Sequence, residues 1–195
     1  MPSSAATGCQ LWSLWIRVKN LSLLNSESLN NTNGLWNSIR AEDFDGDGDI
    51  DLIVGNWGLN TRLTASVVKP LNLYRFDFDK NGKIDPITTY FYKGTETVLA
   101  TKDELVKQLP FLNKKFLSYH DFAKAGIIDL LSEEKLEKAE KKQVFTLETT
   151  YFENQGNLSF KAKALPQMAQ ISSVKTMITE DFNADGLLDI LLLGN

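Results

Sequence analysis

Asp43-Phe44-Asp45-Gly46-Asp47-Gly48-Asp49-Ile50-Asp51 puts five carboxylates into nine residues, and such a stretch repels itself unless a cation sits among its charges. Read as D-x-D-x-D-G-x-x-D, it offers side-chain oxygens at loop positions 1, 3, 5 and 9 (Asp43, Asp45, Asp47 and Asp51), while Gly48 at position 6 permits the sharp turn that lets them converge. Oxygen-only donors suit a hard cation. A flexible loop rich in carboxylates favours Ca²⁺ over Mg²⁺, which demands stricter geometry and sheds its water reluctantly.

The same grammar returns twice. Asp77-Phe78-Asp79-Lys80-Asn81-Gly82-Lys83-Ile84-Asp85 and Asp181-Phe182-Asn183-Ala184-Asp185-Gly186-Leu187-Leu188-Asp189 keep Asp or Asn at positions 1, 3 and 5, Gly at 6, Asp at 9 and Phe at 2. One copy would pass for a turn, because Asp, Asn and Gly are turn formers in any case. Three copies with a fixed ninth Asp point to a metal loop. The helix-loop-helix calcium hand shares this opening but needs a bidentate Glu at position 12. That position holds Val54, Thr88 and Leu192. The runs that follow, Asp51–Gly55, Ile87–Phe91 and Asp189–Leu193, are short, apolar or β-branched, and read as strands. Trp36–Arg40 and Leu71–Phe76 before the first two loops read as extended too, so the repeated unit is strand, nine-residue loop, strand.

From Leu35 to Asn195 these residues resemble the FG-GAP/VCBS repeats of integrin-alpha-like β-propellers. The resemblance rests on the first loop followed by Leu52-Ile-Val-Gly-Asn56 and the third followed by Ile190-Leu-Leu-Leu-Gly-Asn195. More narrowly, Gly55-Asn-Trp-Gly-Leu-Asn60 and Leu165-Pro-x-x-Ala-Gln170 are similar to segments of bacterial surface proteins related to cartilage acidic protein. The resemblance implies a mainly β fold, a partial propeller of about three blades with calcium-loop hairpins. It also implies that position 7 contributes its backbone carbonyl, which here means Asp49, Lys83 and Leu187. It further implies an extracellular or cell-surface bacterial protein. The loops begin at 43, 77 and 181, a less even recurrence than regular blades would give.

A chain of 195 residues with 43% hydrophobic content can bury a sizeable core. It is short for a closed propeller, which needs four or more blades of about 40 to 50 residues to hide its sheet edges. The expectation is a segment of a longer parent chain that supplies the remaining blades and any signal peptide. Twenty-one basic against 25 acidic residues leave a formal charge of −4, which speaks against nucleic acid. Three Ca²⁺ ions would turn that to about +2. The single cysteine, Cys9, excludes an intramolecular disulfide framework. Ala6-Thr-Gly-Cys9 lacks the charged and apolar regions that a lipoprotein signal needs in front of it. No stretch approaches the roughly 18 apolar residues of a membrane span.

Residues 1–34 read as an irregular leading segment, within which Leu11 to Leu24 alternates loosely enough for a strand pair. Residues 35–195 read as the propeller segment. A helical insertion interrupts it over 100–143: Thr101-Lys-Asp-Glu104 is a capping-box pattern opening a helix that Pro110 ends, Ser118 caps a second helix over Tyr119–Lys124, and Ser132 caps a third through the alternating Glu and Lys residues up to Lys142. Afterwards Thr146–Phe152, a turn at Glu153–Gly156 and Leu158–Lys161 read as a hairpin. The only histidine, His120, adjoins Asp121 at a spacing that does not face it on a helix, so His120 reads as a structural or surface residue.

No nucleophile elbow, phosphate-cradling loop, zinc-ligand cluster or Ser/His or Cys/His set is present in the sequence. The leading expectation is a non-enzymatic, calcium-stabilised module that binds a protein or glycan ligand in adhesion. A lectin-like propeller, with Trp36, Trp57, Tyr90 and Tyr92 as candidate stacking residues, is the alternative, followed by a polysaccharide lyase or hydrolase fragment. Packing between blades is the first expectation for Trp57, since large rings serve burial first.

Overall fold

The computed structural model describes residues 13–17, 20–24 and 26–195, with side chains from Ser26 onward; Cys9 and Trp12 lie outside the described residues. The strands are β1 (Ser13–Arg17), β2 (Asn20–Leu24), β3 (Ser38–Glu42), β4 (Asp51–Gly55), β5 (Leu71–Phe76), β6 (Asp85–Tyr92), β7 (Thr95–Val98), β8 (Glu140–Val144), β9 (Thr150–Asn154), β10 (Phe160–Ala164), β11 (Val174–Glu180) and β12 (Asp189–Gly194). Five short helices, α1 (Lys102–Gln108), α2 (Leu112–Lys115), α3 (Tyr119–Lys124), α4 (Ile127–Leu130) and α5 (Glu133–Lys138), separate β7 from β8. The fold is mainly β. Its strands make four sheets, β1-β2, β10-β9-β4-β3, β11-β12 and β7-β6-β5-β8, none of them closed into a barrel. The assigned registers are antiparallel.

Two compact units divide the described chain. One runs from Thr64 to Gln143, and the other joins the residues up to Leu63 to Val144–Asn195. Sequence reading draws the insertion around the helices alone, from residue 100. The difference has a packing cause. Tyr74, Phe78, Ile87 and Val98 of the β5–β7 region form one core with Leu105, Leu109, Leu112, Phe122, Ile127, Leu130 and Leu131 of the helical layer, so the helices cannot be detached from the sheet they cover. Helices α2 and α4 were invisible to capping arguments, being single turns. The third expected helix stops at Lys138 rather than Lys142, because Glu140 starts β8 beside β5.

Helix α1 starts where the capping box places it. The Glu104 backbone N–H donates to Thr101 Oγ1 at 3.4 Å, and Thr101 N donates back to Glu104 Oε2 at 2.8 Å. These hydrogen bonds, from the Thr101 backbone first and its hydroxyl second, hold the Glu104 carboxyl below its ordinary value of 4.5. A depressed carboxylate contributes stability above its unfolded pKa and loses it as pH falls through the folded one. The Thr101 amide shift followed by NMR should therefore titrate at a midpoint below 4.5, and Glu104→Gln should abolish that titration while α1 persists.

In the other unit, β3 and β4 flank the first loop with Glu42 opposite Asp51, and β9 returns from beyond the other unit to lie against β4 with Tyr151 opposite Ile53. Alternation then splits the core between two faces. Val54 meets Leu29, Phe152 and Phe160 on one, and Ile53 meets Val174 and Met177 on the other. Leu29 is thus part of this core. The expected hairpin after residue 145 exists but lies about three residues later, in β9 and β10, because pairing with β4 starts only at Thr150.

The two short motifs of the narrower resemblance meet in this unit. Leu59 N and Asn60 N donate to the Gln170 carbonyl at 2.7 and 3.2 Å, and Gly58 N donates to Leu147 O at 2.8 Å. Gln170 Nε2 in turn donates to Thr149 O and Leu165 O. Gly58 has φ +87°, and a Cβ there would lie 2.7 Å from Gln170 O. Gly58→Ala should accordingly cost about 2–3 kcal/mol, from backbone strain and displaced carbonyls together, measurable as a shift of the urea midpoint at unchanged slope.

Candidate metal centres

Each acidic loop joins two antiparallel strands, and all three adopt one backbone. Position 6 is left-handed in each, at Gly48, Gly82 and Gly186, and so is position 4, where Gly46, Lys80 and Ala184 have φ of 79°, 62° and 60°. The position-1 carboxylate accepts the position-6 N–H: Gly48 to Asp43, Gly82 to Asp77 and Gly186 to Asp181 at 2.8–3.0 Å. The position-3 side chain accepts from position 5 (Asp47 N to Asp45, Asn81 N to Asp79, Asp185 N to Asn183). The position-5 side chain accepts from position 7 (Asp49 N to Asp47, Lys83 N to Asn81, Leu187 N to Asp185). The ninth Asp closes the loop by accepting the N–H of the position-2 Phe, from Phe44 to Asp51, Phe78 to Asp85 and Phe182 to Asp189, at 3.0–3.3 Å. The amide hydrogen bonds hold the side-chain oxygens turned inward, and a carboxylate has about four acceptor sites, so capacity for a cation remains.

Two loops bring three carboxylates together. One oxygen each from Asp43, Asp45 and Asp51, and one each from Asp77, Asp79 and Asp85, lie within 4.8 Å of one another. Asp47, expected in the first group, lies outside it, its side chain turned to the Asp49 amide. In the third loop Asn183 replaces one carboxylate, and Asp181, Asp185 and Asp189 make no such three-carboxylate group. Among the described residues none of these loop carboxylates is in an ion pair; the salt bridges are Arg75–Glu140, Lys138–Glu134, Lys142–Glu140 and Lys163–Glu153. The donor set, oxygen only and without an ion pair among the described residues, could hold a metal ion.

The charge shows in the titration of the loops. Desolvation, then repulsion from Asp47, Asp51 and Glu153, raises the Asp45 carboxyl despite the Asp47 N–H that it accepts. Desolvation pushes the Asp77 carboxyl up as well, but the N–H groups of Gly82, Asn81 and Lys80 outweigh it and leave Asp77 below the usual carboxylate range.

Sequence reading missed the partners that hold Asp51. This residue is fully buried, accepting the Tyr151 hydroxyl at 2.6 Å and the Asn154 N–H at 2.7 Å from β9. Asn154 Nδ2 also donates to Ile50 O. No local pattern could have found residues a hundred positions away. Also unforeseen is the polar knot on the other sheet, where Glu96 accepts from Asn72 Nδ2 at 2.6 Å and Thr89 Oγ1 at 2.5 Å. Desolvation and Glu96 raise the Tyr74 phenol.

The remaining candidates separate cleanly. His120 and Asp121 are exposed, with Asp121 occupied by the Ser118 cap at 2.8 Å. Trp36 packs edge-on to Phe152 and is spent on the core. Trp57, expected to pack, is instead 45% exposed, because its chain turns outward at Gly58, whose N–H is tied to Leu147 O. Tyr90 is half-buried and Tyr92 exposed. No helix among the described residues is long and apolar enough to cross a membrane. Comparison of the chain with family models, curated proteins and solved structures finds no match.

Proposed function

We propose that the chain is a calcium-binding segment of an FG-GAP/VCBS-type β-propeller, non-enzymatic, serving adhesion or the binding of a protein or glycan ligand at the surface of, or outside, a bacterial cell. The observation that carries the reading is the threefold repetition of one loop backbone with its side-chain oxygens turned inward and uncompensated. Asp43, Asp45, Asp51, Asp77, Asp79 and Asp85 would hold the ions of the first two loops. Asp181, Asn183, Asp185 and Asp189 would hold that of the third. The metal would supply the positive charge these hairpins lack.

The uneven loop spacing supports a nested arrangement. The first and third loops belong to one compact unit and the second to the other, which lies in sequence between β4 and β9. The sheet β3-β4-β9-β10 then reads as one four-stranded blade and β11-β12 as the first half of the next, with the second loop in an inserted unit of its own.

Calorimetry tests the metal reading. Three Ca²⁺ sites should appear with Kd on the order of 10⁻⁴ to 10⁻³ M, the range of extracellular modules. Mg²⁺ should respond weakly. No calcium heat, or an equal magnesium response, removes it. The exposure of Trp57 beside the equally open Leu59 favours a glycan as the ligand over a protein; glycan-array binding lost in Trp57→Ala is the expected result, and retention of binding would return the choice to a protein.

A further inference from the structure

In the first loop the ninth carboxylate is held by a second stretch of chain. Asp51 is 0% exposed, and its two oxygens share three donors. Oδ2 accepts the Phe44 N–H of its own loop at 3.3 Å and the Tyr151 hydroxyl at 2.6 Å, while Oδ1 accepts the Asn154 N–H at 2.7 Å. A carboxylate has about four acceptor sites, so about one is left over, and it belongs to Oδ1. Asn154 Nδ2 also ties the Ile50 carbonyl, at loop position 8, to the same strand at 3.1 Å. The Tyr151 ring stands edge-on to Phe44 with 6.1 Å between centroids. The second loop shares the local bond, Phe78 N to Asp85 Oδ2 at 3.0 Å, but its own unit braces it: Phe78 is 0% exposed and Lys135 Nζ donates to the Phe78 carbonyl at 2.6 Å. The two loops share a backbone and differ in what holds it.

We propose that Tyr151 and Asn154 are positioning residues of the first metal centre, which is thereby built from two chain segments, 43–51 and 151–154, and that filling it with Ca²⁺ tightens the docking of β9 on β4. The inference rests on the calcium reading of the loops. A loop carboxylate that is free to turn has to be ordered by the ion it binds. Asp51 is ordered beforehand, its orientation and its one remaining acceptor site fixed by donors that the loop itself does not supply. Outer partners of this kind orient metal ligands, and losing one typically costs about 10–100-fold in affinity. Their strand lies a hundred residues further along the chain, beyond the inserted unit, and its register with β4 is only Leu52 to Phe152, Ile53 to Tyr151 and Val54 to Thr150. Against so short a ladder the bonds to Asp51 are a large share of what holds β9. Coupling of this sort is reciprocal: by whatever factor the docked strand raises the affinity of the loop, the ion favours the docked strand.

The test follows the intact chain by heteronuclear NMR during a Ca²⁺ titration. The Gly48, Gly82 and Gly186 amides each donate to the position-1 carboxylate of their loop, so their signals read the three loops separately. Tyr151→Phe keeps the ring beside Phe44 and removes only the hydroxyl. It should raise the Ca²⁺ midpoint of the Gly48 signal about tenfold and leave the Gly82 and Gly186 midpoints in place. In the unsubstituted chain, hydrogen exchange at the Asn154 amide should slow by a comparable factor between chelator and saturating Ca²⁺. A purely structural hydroxyl would lower the melting temperature of Tyr151→Phe without moving the Gly48 midpoint, and that result overturns the proposal. So does an equal shift of all three midpoints. Exchange at Asn154 that calcium leaves unchanged overturns it as well, and this arm needs no variant to fold. If none of the three glycine signals responds to Ca²⁺ in the unsubstituted chain, the calcium reading itself falls and takes the proposal with it.

Discussion

Addition of ~10 mM Ca²⁺ should raise the melting temperature by several degrees for each filled loop, and chelation should return it. With a Kd of ~0.1 mM, binding to the folded state alone stabilises by about 2.7 kcal/mol per site. For a protein of this size about 1 kcal/mol moves the midpoint by roughly 2–4 °C. The effect is this large because the empty loops are at odds with themselves. Carboxylate oxygens gathered within 4.8 Å of one another repel, and among the described residues no ion pair relieves them. The unit with the first and third loops should shift further than the unit with the second, so a calorimetric trace should broaden or split as calcium rises. Asp43→Ala should lose one site's share. Asp121→Ala, outside the loops, should keep the full response. A melting temperature indifferent to chelator would reduce the three loops to solvated turns.

How much of this was legible in the sequence depends on the range of the signal. The loop turns were legible because their chemistry is local: nine residues with Gly at position 6 dictate the turn and bring Asp43, Asp45 and Asp51 together, whereas Asp47, read into the same group, lies outside it. The same locality placed β4 and β5 to the residue, and α1 and α3 with their caps. Nesting was not legible. Whether β9 pairs with β4 or with a strand nearer in sequence is decided by which apolar faces meet, Ile53 against Tyr151 and Val54 against Thr150, and no periodicity encodes that choice. The helices at 102–138 were visible, but their attachment to β5–β7 was not, since a buried Phe78 looks in sequence like any other position-2 phenylalanine. The fate of Trp57 was misjudged for a related reason. Size argues for burial, yet the turn at Gly58 points it outward.

Asp51→Ala and Asp189→Ala change the same loop position and should differ sharply in calcium-free buffer. At Asp51 the substitution strips the acceptor from the Asn154 N–H, from the Tyr151 hydroxyl and from Phe44 N. Each buried donor left unpaired costs about 1–3 kcal/mol. Relief of repulsion with Asp43 and Asp45 offsets part of this, and a net loss of about 3–4 kcal/mol follows for a site that also anchors β9 to β4. At Asp189 only the exposed Phe182 N–H loses its partner, and water replaces it, so the loss should stay near or below about 1 kcal/mol. Denaturant midpoints of the two variants, taken in chelator, measure the difference directly. In calcium both should lose one metal site, and the additional penalty at Asp51 should persist. Equal losses in chelator would mean that β9 is held by its backbone ladder alone, and that the buried carboxylate contributes nothing beyond its place in the loop.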